Sequence, residues 1–324
     1  MQAIRKGWMG TVLIAGLLTT AGASPIQTSL TRFTYTEYLM GVDARLIVYA
    51  PDKVTAEKAC AAAFERIAQL DAMMSDYRQD SELMRLCDKA GGPPVRISPE
   101  LMKVFKRARE VSDLTAGVFD ITVGPLVQLW RAARKSAVLP SPSEIEAARK
   151  LVGWDKVVLD ERHRTAQLLV PGMKLDLGGI AKGYADDEAQ KVLRKHGIAS
   201  ALVEMGGDIV VSDAPPGTDG WTIQVPNAEG GDKPSEIHLK NCAISSSGDT
   251  EQFVIIGGKR YSHVVNPITG WAETDRAQVT VIARDGLTSD PLTKAMLLIG
   301  DEGFRRRLLR RYRGARAYRR VIHG

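Results

Sequence analysis

Cysteine is scarce in this 324-residue sequence, and its spacing excludes two classes of protein. The three cysteines, Cys60, Cys87 and Cys242, lie far apart and form no CxxC pair. This pattern excludes a small disulfide-stapled fold and a thiolate zinc site. Cys60 lies in an alanine-rich run that is typical of a core position. A Cys87–Cys242 bridge stays open as an alternative for a protein in an oxidising compartment.

Long apolar runs are also lacking, apart from one at the N-terminus. Beyond it no segment approaches the roughly 18 apolar residues of a membrane-spanning helix. Arg5 and Lys6 precede an apolar stretch at residues 11–18, and small residues follow up to Ala23. This order predicts a cleavable signal peptide over residues 1–23, with an uncut N-terminal anchor as the alternative. We therefore expect export to the periplasm. No cysteine follows the apolar run, which argues against a lipid anchor.

Acidic residues are absent from the C-terminal end. The 21 residues from Phe304 to Gly324 contain nine arginines and no acid, so the net charge of +6 leaves −3 for the rest of the chain. We predict a solvated, Arg-rich tail over residues 304–324; the alternative is a docking patch for lipid or an acidic partner. Basic residues interleaved with aromatic ones are lacking elsewhere, so no nucleic-acid partner is expected.

Periodicity indicates helices in the first half of the chain and strands in the second. Residues 24–37 are predicted to be an unanchored leader, followed by a strand over residues 38–50. Strands dominate from residue 155, and a last helical pair begins at Ser289. The hydrophobic and charged fractions, 44% and 25%, are ordinary for a globular chain. Because βαβ alternation is absent, we predict an α+β fold: one compact domain with a mainly antiparallel sheet and flanking helices.

The segment from Leu175 to Asp187 carries the first unusual motif. A predicted strand delivers Asp176, two glycines allow close backbone approach, and a helix begins with Lys182 in its first turn. N–H groups at a helix start, next to a lysine, suit a phosphate. Many strand–glycine–helix turns bind nothing, however, and both the GxGxxG fingerprint and the Walker spacing are lacking. By itself the segment indicates a phosphate site without naming the ligand.

Further polar segments lie near predicted strand ends, at residues 204–209, 245–249 and 261–270. The first two combine glycine with carboxylates or hydroxyls, as nucleotide-binding turns do, although bare turns explain them equally well. His263 is the best placed of the five histidines, since it lies between a strand and a turn beside hydroxyls. A lone histidine is nevertheless more often structural than catalytic. Asp290, at the start of a predicted helix, is either a cap or a metal ligand.

Taken together and in order, these segments resemble the FAD:protein FMN transferase (ApbE-like) family. The resemblance runs from about Met40 to Gly300, and residues 38–303 are identified as an ApbE-like flavin transferase domain. The blocks that carry it are Met40-Gly41, Met74 to Tyr77 with Ser81 to Leu83, Gly117 to Leu126, Val152 to Trp154, Leu175 to Asp187, Gly206 to Asp208, Ser247 to Asp249, His263 with Asn266 to Gly270, and Asp290 with Gly300.

The resemblance implies an exported enzyme that binds FAD. With magnesium, it transfers FMN to a Ser or Thr hydroxyl of a target flavoprotein and releases AMP. The implied target class is a membrane-attached electron-transfer subunit. The implied flavin and nucleotide contacts are Met40, Tyr77, Asp120, Thr122, Lys182, Asp187, Ser247 and His263. His263 and Lys182 are the implied catalytic residues, His263 as general base. A histidine with a pKa near neutral suits a hydroxyl nucleophile, and a cation suits the charge that a breaking pyrophosphate gathers.

The implied metal site uses the Gly179 carbonyl, the Asp290 carboxylate and the side chain four residues after Asp290. The family pattern has threonine at that third position, and this sequence has Lys294. An ammonium group cannot ligate a metal, and beside Asp290 it would repel one. Three outcomes stay open: magnesium binds with Lys294 turned away, the enzyme works weakly without metal, or the protein only holds a flavin. The alternative functions are a non-catalytic flavin-binding protein and a hydrolase that splits FAD.

Overall fold

A seven-stranded antiparallel sheet forms the centre of the computed structural model, which describes residues 29–225, 235–248 and 253–321. In chain order the strands are β1 Thr31–Leu39, β2 Val42–Ala50, β3 Val95–Arg96, β4 Val157–Asp160, β5 Thr165–Leu168, β6 Ala201–Met205, β7 Asp208–Val211, β8 Trp221–Val225, β9 Ser235–Leu239, β10 Cys242–Gly248, β11 Phe253–Ile256, β12 Lys259–Ser262, β13 Ala277–Ala283 and β14 Arg316–Val321. The main sheet has the order β1-β2-β6-β7-β10-β13-β14. The predicted signal peptide lies outside the described residues, as does Asp249.

Helices in the described residues flank this sheet, which agrees with the predicted α+β fold. They are α1 Lys53–Met74, α2 Glu82–Cys87, α3 Pro99–Leu114, α4 Gly124–Ser136, α5 Pro142–Arg149, α6 Ala181–Lys195, α7 Gly286–Leu298 and α8 Glu302–Leu309. Several begin where the sequence supplies a cap: Asp52, Ser81, Ser98 and Ser141 each accept a backbone N–H from the first turn of the following helix. Such caps satisfy N–H groups that have no partner within the helix.

The core has two layers on opposite faces of the sheet. Helices α1, α3, α6 and α7 cover one face, where Leu46 and Val203 are fully buried. The β8–β9 hairpin covers the other face with Trp221 and Ile223. A third apolar cluster, centred on the buried Trp130, joins α4 and α5 to the β11–β12 hairpin.

Helices α6 and α7 cross at two glycines. A Cβ atom on Gly183 would lie 2.2 Å from the carbonyl oxygen of Gly286, and a Cβ atom on Gly286 would lie 2.2 Å from that of Gly183. No side chain fits there, so glycine is required for backbone contact. Helix α7 begins at Gly286, and Asp187 on α6 accepts the N–H groups of Gly286 and Leu287 at 2.8 and 2.9 Å. The prediction that this helix begins at Ser289 is therefore wrong.

The prediction of an unanchored leader over residues 24–37 is also wrong from Thr31 onward. β1 pairs with β2 along its whole length, from Thr31↔Ala50 to Leu39↔Val42. The predicted strand over residues 38–50 is thus one arm of a hairpin whose turn is Met40-Gly41. The sequence of β1 alternates aromatic and threonine residues, a composition that favours strands.

The described part of the predicted Arg-rich tail is not a solvated tail. α8 buries Leu308, and β14 pairs with β13 from Ala277↔Val321 to Ile282↔Arg316. Ala317 packs against the helix-side core and Tyr318 against the hairpin-side core. The tail prediction failed because it weighed the arginine charges and overlooked these two inward-facing residues.

The three cysteines are free thiols, and Cys60 and Cys87 are buried. The Cys87–Cys242 bridge is therefore not formed, whereas the core position predicted for Cys60 is confirmed. Within the described ranges, no helix combines the length and apolar character needed to cross a membrane.

Candidate active site

The turn between Asp176 and α6 is the centre of the candidate site. Its backbone is irregular rather than the predicted strand, and the Asp176 N–H donates to the Ile121 carbonyl at 2.8 Å. Asp176 in turn accepts the Gly178 N–H at 2.8 Å. Lys182, in the first turn of α6, lies with its Nζ 3.5 Å from the Gly178 carbonyl oxygen and 3.0 Å from Asp208 Oδ2. The turn is thus held between two carboxylates.

The three positions of the implied metal site converge beside this turn. Lys294 Nζ lies 2.5 Å from Asp290 Oδ1, and the Lys294 stem packs against Gly179, 3.5 Å from where a Cβ atom would be. Asp290 is fully buried in the second turn of α7, so it is not the helix cap. We call Lys182, Asp208, Lys294 and Asp290 the lysine–aspartate cluster.

Contacts within the lysine–aspartate cluster oppose the effect of burial on two of its members, Lys182 and Asp290. Burial disfavours the charged form of Lys182, but Asp208 and Asp290 outweigh burial and raise the pKa of its ammonium. Burial also opposes ionisation of Asp290, yet Lys294 and then Lys182 lower the pKa of that carboxyl. Each lysine lies beside a carboxylate, Lys182 beside Asp208 and Lys294 beside Asp290.

Asp186 is an additional buried carboxyl that sequence reasoning missed. It lies one turn after Lys182 on α6, is 0% exposed, and neither of its oxygens has a hydrogen-bond partner within the described structure. Burial, followed by repulsion from Asp208, raises its pKa well above the ordinary value. Burial and this repulsion therefore favour the neutral form of the Asp186 carboxyl. The sequence could have indicated this position, because Asp186 lies four residues after Lys182 and residues i and i+4 share a helix face.

Magnesium, which the resemblance implies, does not fit these side chains. Both Asp290 oxygens are engaged, Oδ1 by Lys294 and Oδ2 by the Gly183 N–H at 3.2 Å. A divalent cation would also face the Lys294 ammonium at close range. Within the described ranges, no three His, Cys, Asp or Glu side chains are grouped to hold a metal. The residue set differs from the hard-oxygen ligands that magnesium takes.

An aromatic platform lies on the other side of the turn. Tyr77 is 75% exposed, and one face of its ring lies over Arg131, whose Cζ is 4.3 Å from the ring centre. Arg131 bonds Asp76 and also Asp176, its Nη2 lying 3.1 Å from Asp176 Oδ2. We call Tyr77 and Arg131 the tyrosine platform. Its free face can stack against a planar ring, and Arg131 fixes the tyrosine from below.

Asp120 and Thr122 support the site from a neighbouring loop. Asp120 Oδ1 accepts the Thr122 N–H at 2.8 Å and the Thr122 hydroxyl at 2.7 Å, and that hydroxyl accepts the Gly153 N–H at 2.7 Å. Burial raises the pKa of Asp120 to about 6 despite these bonds. Asp187 caps α7, and burial raises its pKa to about 7. Asp120, Thr122 and Asp187, which were predicted to contact the flavin nucleotide, thus form hydrogen bonds within the protein.

Met40 and Ser247 lie on segments that adjoin the lysine–aspartate cluster. Met40 forms the β1–β2 turn with φ of 52°; the adjoining Val42 packs with Lys182 around Gly206 of the β6–β7 turn. The Ser247 hydroxyl lies 2.7 Å from that of Thr293, which donates to the Asp290 carbonyl at 2.7 Å. Ser247 is thus linked to Asp290 through Thr293, and the Met40 turn precedes Val42, which lies beside Lys182.

His263 belongs to a segment that is docked on α4. It follows β12 and precedes the isolated bridge Val265↔Ala272. Trp130 Nε1 donates to the Gly270 carbonyl at 2.9 Å, which fastens this segment to α4. α4 also carries Arg131, so the described contacts place the His263 segment on the same helix as the tyrosine platform.

Partly buried ammonium groups beside a glycine turn, linked to an exposed aromatic platform, suit a ligand with both phosphate and a planar ring. The ApbE family model matches residues 40–318, and the chain therefore belongs to the ApbE family. A FAD:protein FMN transferase of Vibrio cholerae serotype O1 is 31% identical over 241 residues, covering 73% of this chain and 72% of that protein.

Solved structures agree with this assignment. The flavin transferase ApbE from Vibrio cholerae has 27% sequence identity and a TM-score of 0.79, covering 89% of this chain and 93% of that one. The ApbE protein from Thermotoga maritima has 30% identity and a TM-score of 0.79, with the same shares covered. The predicted family and α+β fold are confirmed.

Proposed function

We propose that this protein transfers the FMN half of FAD to a Ser or Thr hydroxyl of a target protein and releases AMP. One observation carries the proposal. The tyrosine platform is joined to the lysine–aspartate cluster through Arg131, Asp176 and the Gly178 turn, with contacts of 3.1, 2.8 and 3.5 Å. This continuous path suits a flavin ring at one end and a pyrophosphate at the other.

In this reaction the acceptor oxygen attacks the phosphorus of the FMN half. A bond forms between them while the bond from that phosphorus to the bridging oxygen breaks, and AMP leaves with that oxygen. The hydroxyl proton passes to His263 as general base. The breaking pyrophosphate gathers negative charge, which the Lys182 ammonium stabilises in a low-dielectric site. Asp208 keeps Lys182 charged and aimed at the turn.

Magnesium, expected from the resemblance, has no step in this proposal because Lys294 occupies its ligand position. Export to the periplasm remains part of the proposal, supported by the signal-peptide pattern of residues 1–23. An exported transferase would meet a membrane-attached electron-transfer subunit as its acceptor.

The test is incubation of the mature protein with FAD and an acceptor peptide bearing the Ser or Thr motif. Mass spectrometry should detect acceptor with one added FMN, and a peptide with alanine at the acceptor position should gain nothing. His263→Ala should lower the rate by about 10²–10⁴-fold if His263 is the base. FMN and AMP without modified acceptor would identify a hydrolase. FAD or FMN that stays bound and intact would identify a flavin carrier. Either outcome would contradict the transferase proposal.

A further inference from the structure

Lys294 places an ammonium group beside the Gly178–Gly179 turn, and the fold holds it there. Its side chain is 17% exposed, and its partner Asp290 is fully buried. An ammonium group taken out of water is costly unless a carboxylate pairs with it. The 2.5 Å contact to Asp290 Oδ1 meets that requirement, while the Gly183 N–H holds Oδ2.

The position of Lys294 is fixed by backbone geometry as well as by its ion pair. Because α6 and α7 touch at Gly183 and Gly286, the second and third turns of α7 lie against the start of α6. The Thr293 hydroxyl, one residue before Lys294, is bonded to the Ser247 hydroxyl on β10. The stem of Lys294 then lies along Gly179. The lysine therefore has little freedom to turn away.

The two lysines frame one turn. Lys182 reaches the Gly178 carbonyl from α6, and Lys294 packs beside Gly179 from α7. Each lysine has its own carboxylate, so both ammonium groups are held at the turn without an external ion. A pyrophosphate placed over Gly178 and Gly179 would meet both ammonium groups.

We propose that Lys294 is a catalytic residue whose ammonium is the built-in cation of the site, so that FMN transfer proceeds without a divalent metal. This inference rests on the proposed FMN transfer. During the step, the acceptor oxygen bonds to the FMN phosphorus and the bridging oxygen leaves with AMP. Lys294 and Lys182 neutralise the charge that gathers on the phosphate oxygens. Lysine is a compact charge with rotatable donors, suited to phosphate contact.

The experiment compares wild type with Lys294→Thr, Lys294→Met and the control Lys58→Thr, a lysine exposed on α1. FMN transfer to the acceptor peptide is measured by mass spectrometry in EDTA and in magnesium chloride. Wild type and Lys58→Thr should react equally fast in both. Lys294→Met should lose at least tenfold in both. Lys294→Thr should lose at least tenfold in EDTA and regain activity with magnesium.

Calorimetry gives a second readout that does not depend on turnover. Magnesium chloride is titrated into FAD-saturated protein, and a titration of FAD alone is subtracted. Wild type should show no magnesium binding, whereas Lys294→Thr should show it. Wild-type transfer that falls at least tenfold in EDTA and returns with magnesium would overturn the inference and leave the proposed function standing. Absence of transfer by wild type in both conditions would overturn both.

Discussion

The lysine–aspartate cluster and the tyrosine platform, the two parts of the proposed site, differ in burial and in charge pairing. The cluster joins α6 and α7, which touch at glycine, to strand β7, and each of its lysines has a carboxylate partner. The platform is an exposed ring resting on one arginine. A buried ion pair cannot lose one member cheaply, whereas an exposed ring can be changed with little cost to folding. The cluster should therefore govern stability and chemistry, and the platform should govern affinity for the flavin.

Asp290→Asn should give the largest effect, because it leaves the Lys294 ammonium buried without its carboxylate. Breaking a buried pair by removing one partner costs about 3–5 kcal/mol of unfolding free energy. Urea denaturation would measure the loss. The double variant Asp290→Asn with Lys294→Met should recover part of it, because no charge then lacks a partner. A double variant as unstable as the single one would show that the ion pair is not the cause.

Gly183→Ala should come next, through the crossing of α6 and α7. The added methyl would meet the Gly286 carbonyl oxygen at 2.2 Å, so the helices must separate. Overpacking of this kind costs about 1–3 kcal/mol, and it should also lower FMN transfer by moving Lys294 away from the turn. Gly300→Ala is the matched control, since no atom lies within 4 Å of its added Cβ. Equal stabilities for the two variants in thermal or urea unfolding would contradict the crossing.

Asp187 should make stability depend on pH. Burial raises its pKa to about 7 in the folded protein, from 3.8 for an unperturbed carboxyl. Between about pH 4 and pH 7 the folded state keeps a proton that the unfolded state has lost. The free energy of unfolding therefore falls as pH rises through this range. The maximal slope for one group is about 1.4 kcal/mol per pH unit. Asp187→Asn should reduce this slope by the share of one group, leaving that of Asp120 and Asp186, as measured by urea denaturation at pH 5, 6, 7 and 8. An unchanged slope would assign it to another group.

Tyr77→Leu should have the smallest effect on folding and act on FAD binding. Ring stacking contributes about 0.5–1.5 kcal/mol beyond buried area, so the dissociation constant for FAD should rise about two- to twelvefold. Arg131→Lys should weaken binding similarly, because lysine lacks the planar fork that bonds Asp76 and Asp176 together. Fluorescence titration of FAD measures both. Val158→Ala, at an exposed position on β4, is the control and should change neither stability nor affinity.

The sequence was most informative where chemistry is local. The glycines at 178 and 179, Lys182 and the pair Asp290–Lys294 lie in short motifs, and the structure brings them together. Arg131 could not be found this way, because its partners Asp76 and Asp176 come from distant parts of the chain. β14 was not predicted for another reason. Its arginines dominate the composition of the segment, although Ala317 and Tyr318 pack against the core.

The lysine–aspartate cluster should govern the chemistry, and the tyrosine platform should govern affinity for the flavin. The most direct test of this division is a steady-state measurement of FMN transfer with FAD varied, for wild type, Tyr77→Leu and Lys294→Met. We expect Tyr77→Leu to raise KM for FAD with kcat within about twofold of wild type, because it removes binding shared by substrate and transition state. Lys294→Met should lower kcat at least tenfold with little change in KM. The opposite pattern, with Tyr77→Leu lowering kcat and Lys294→Met raising only KM, would contradict the account.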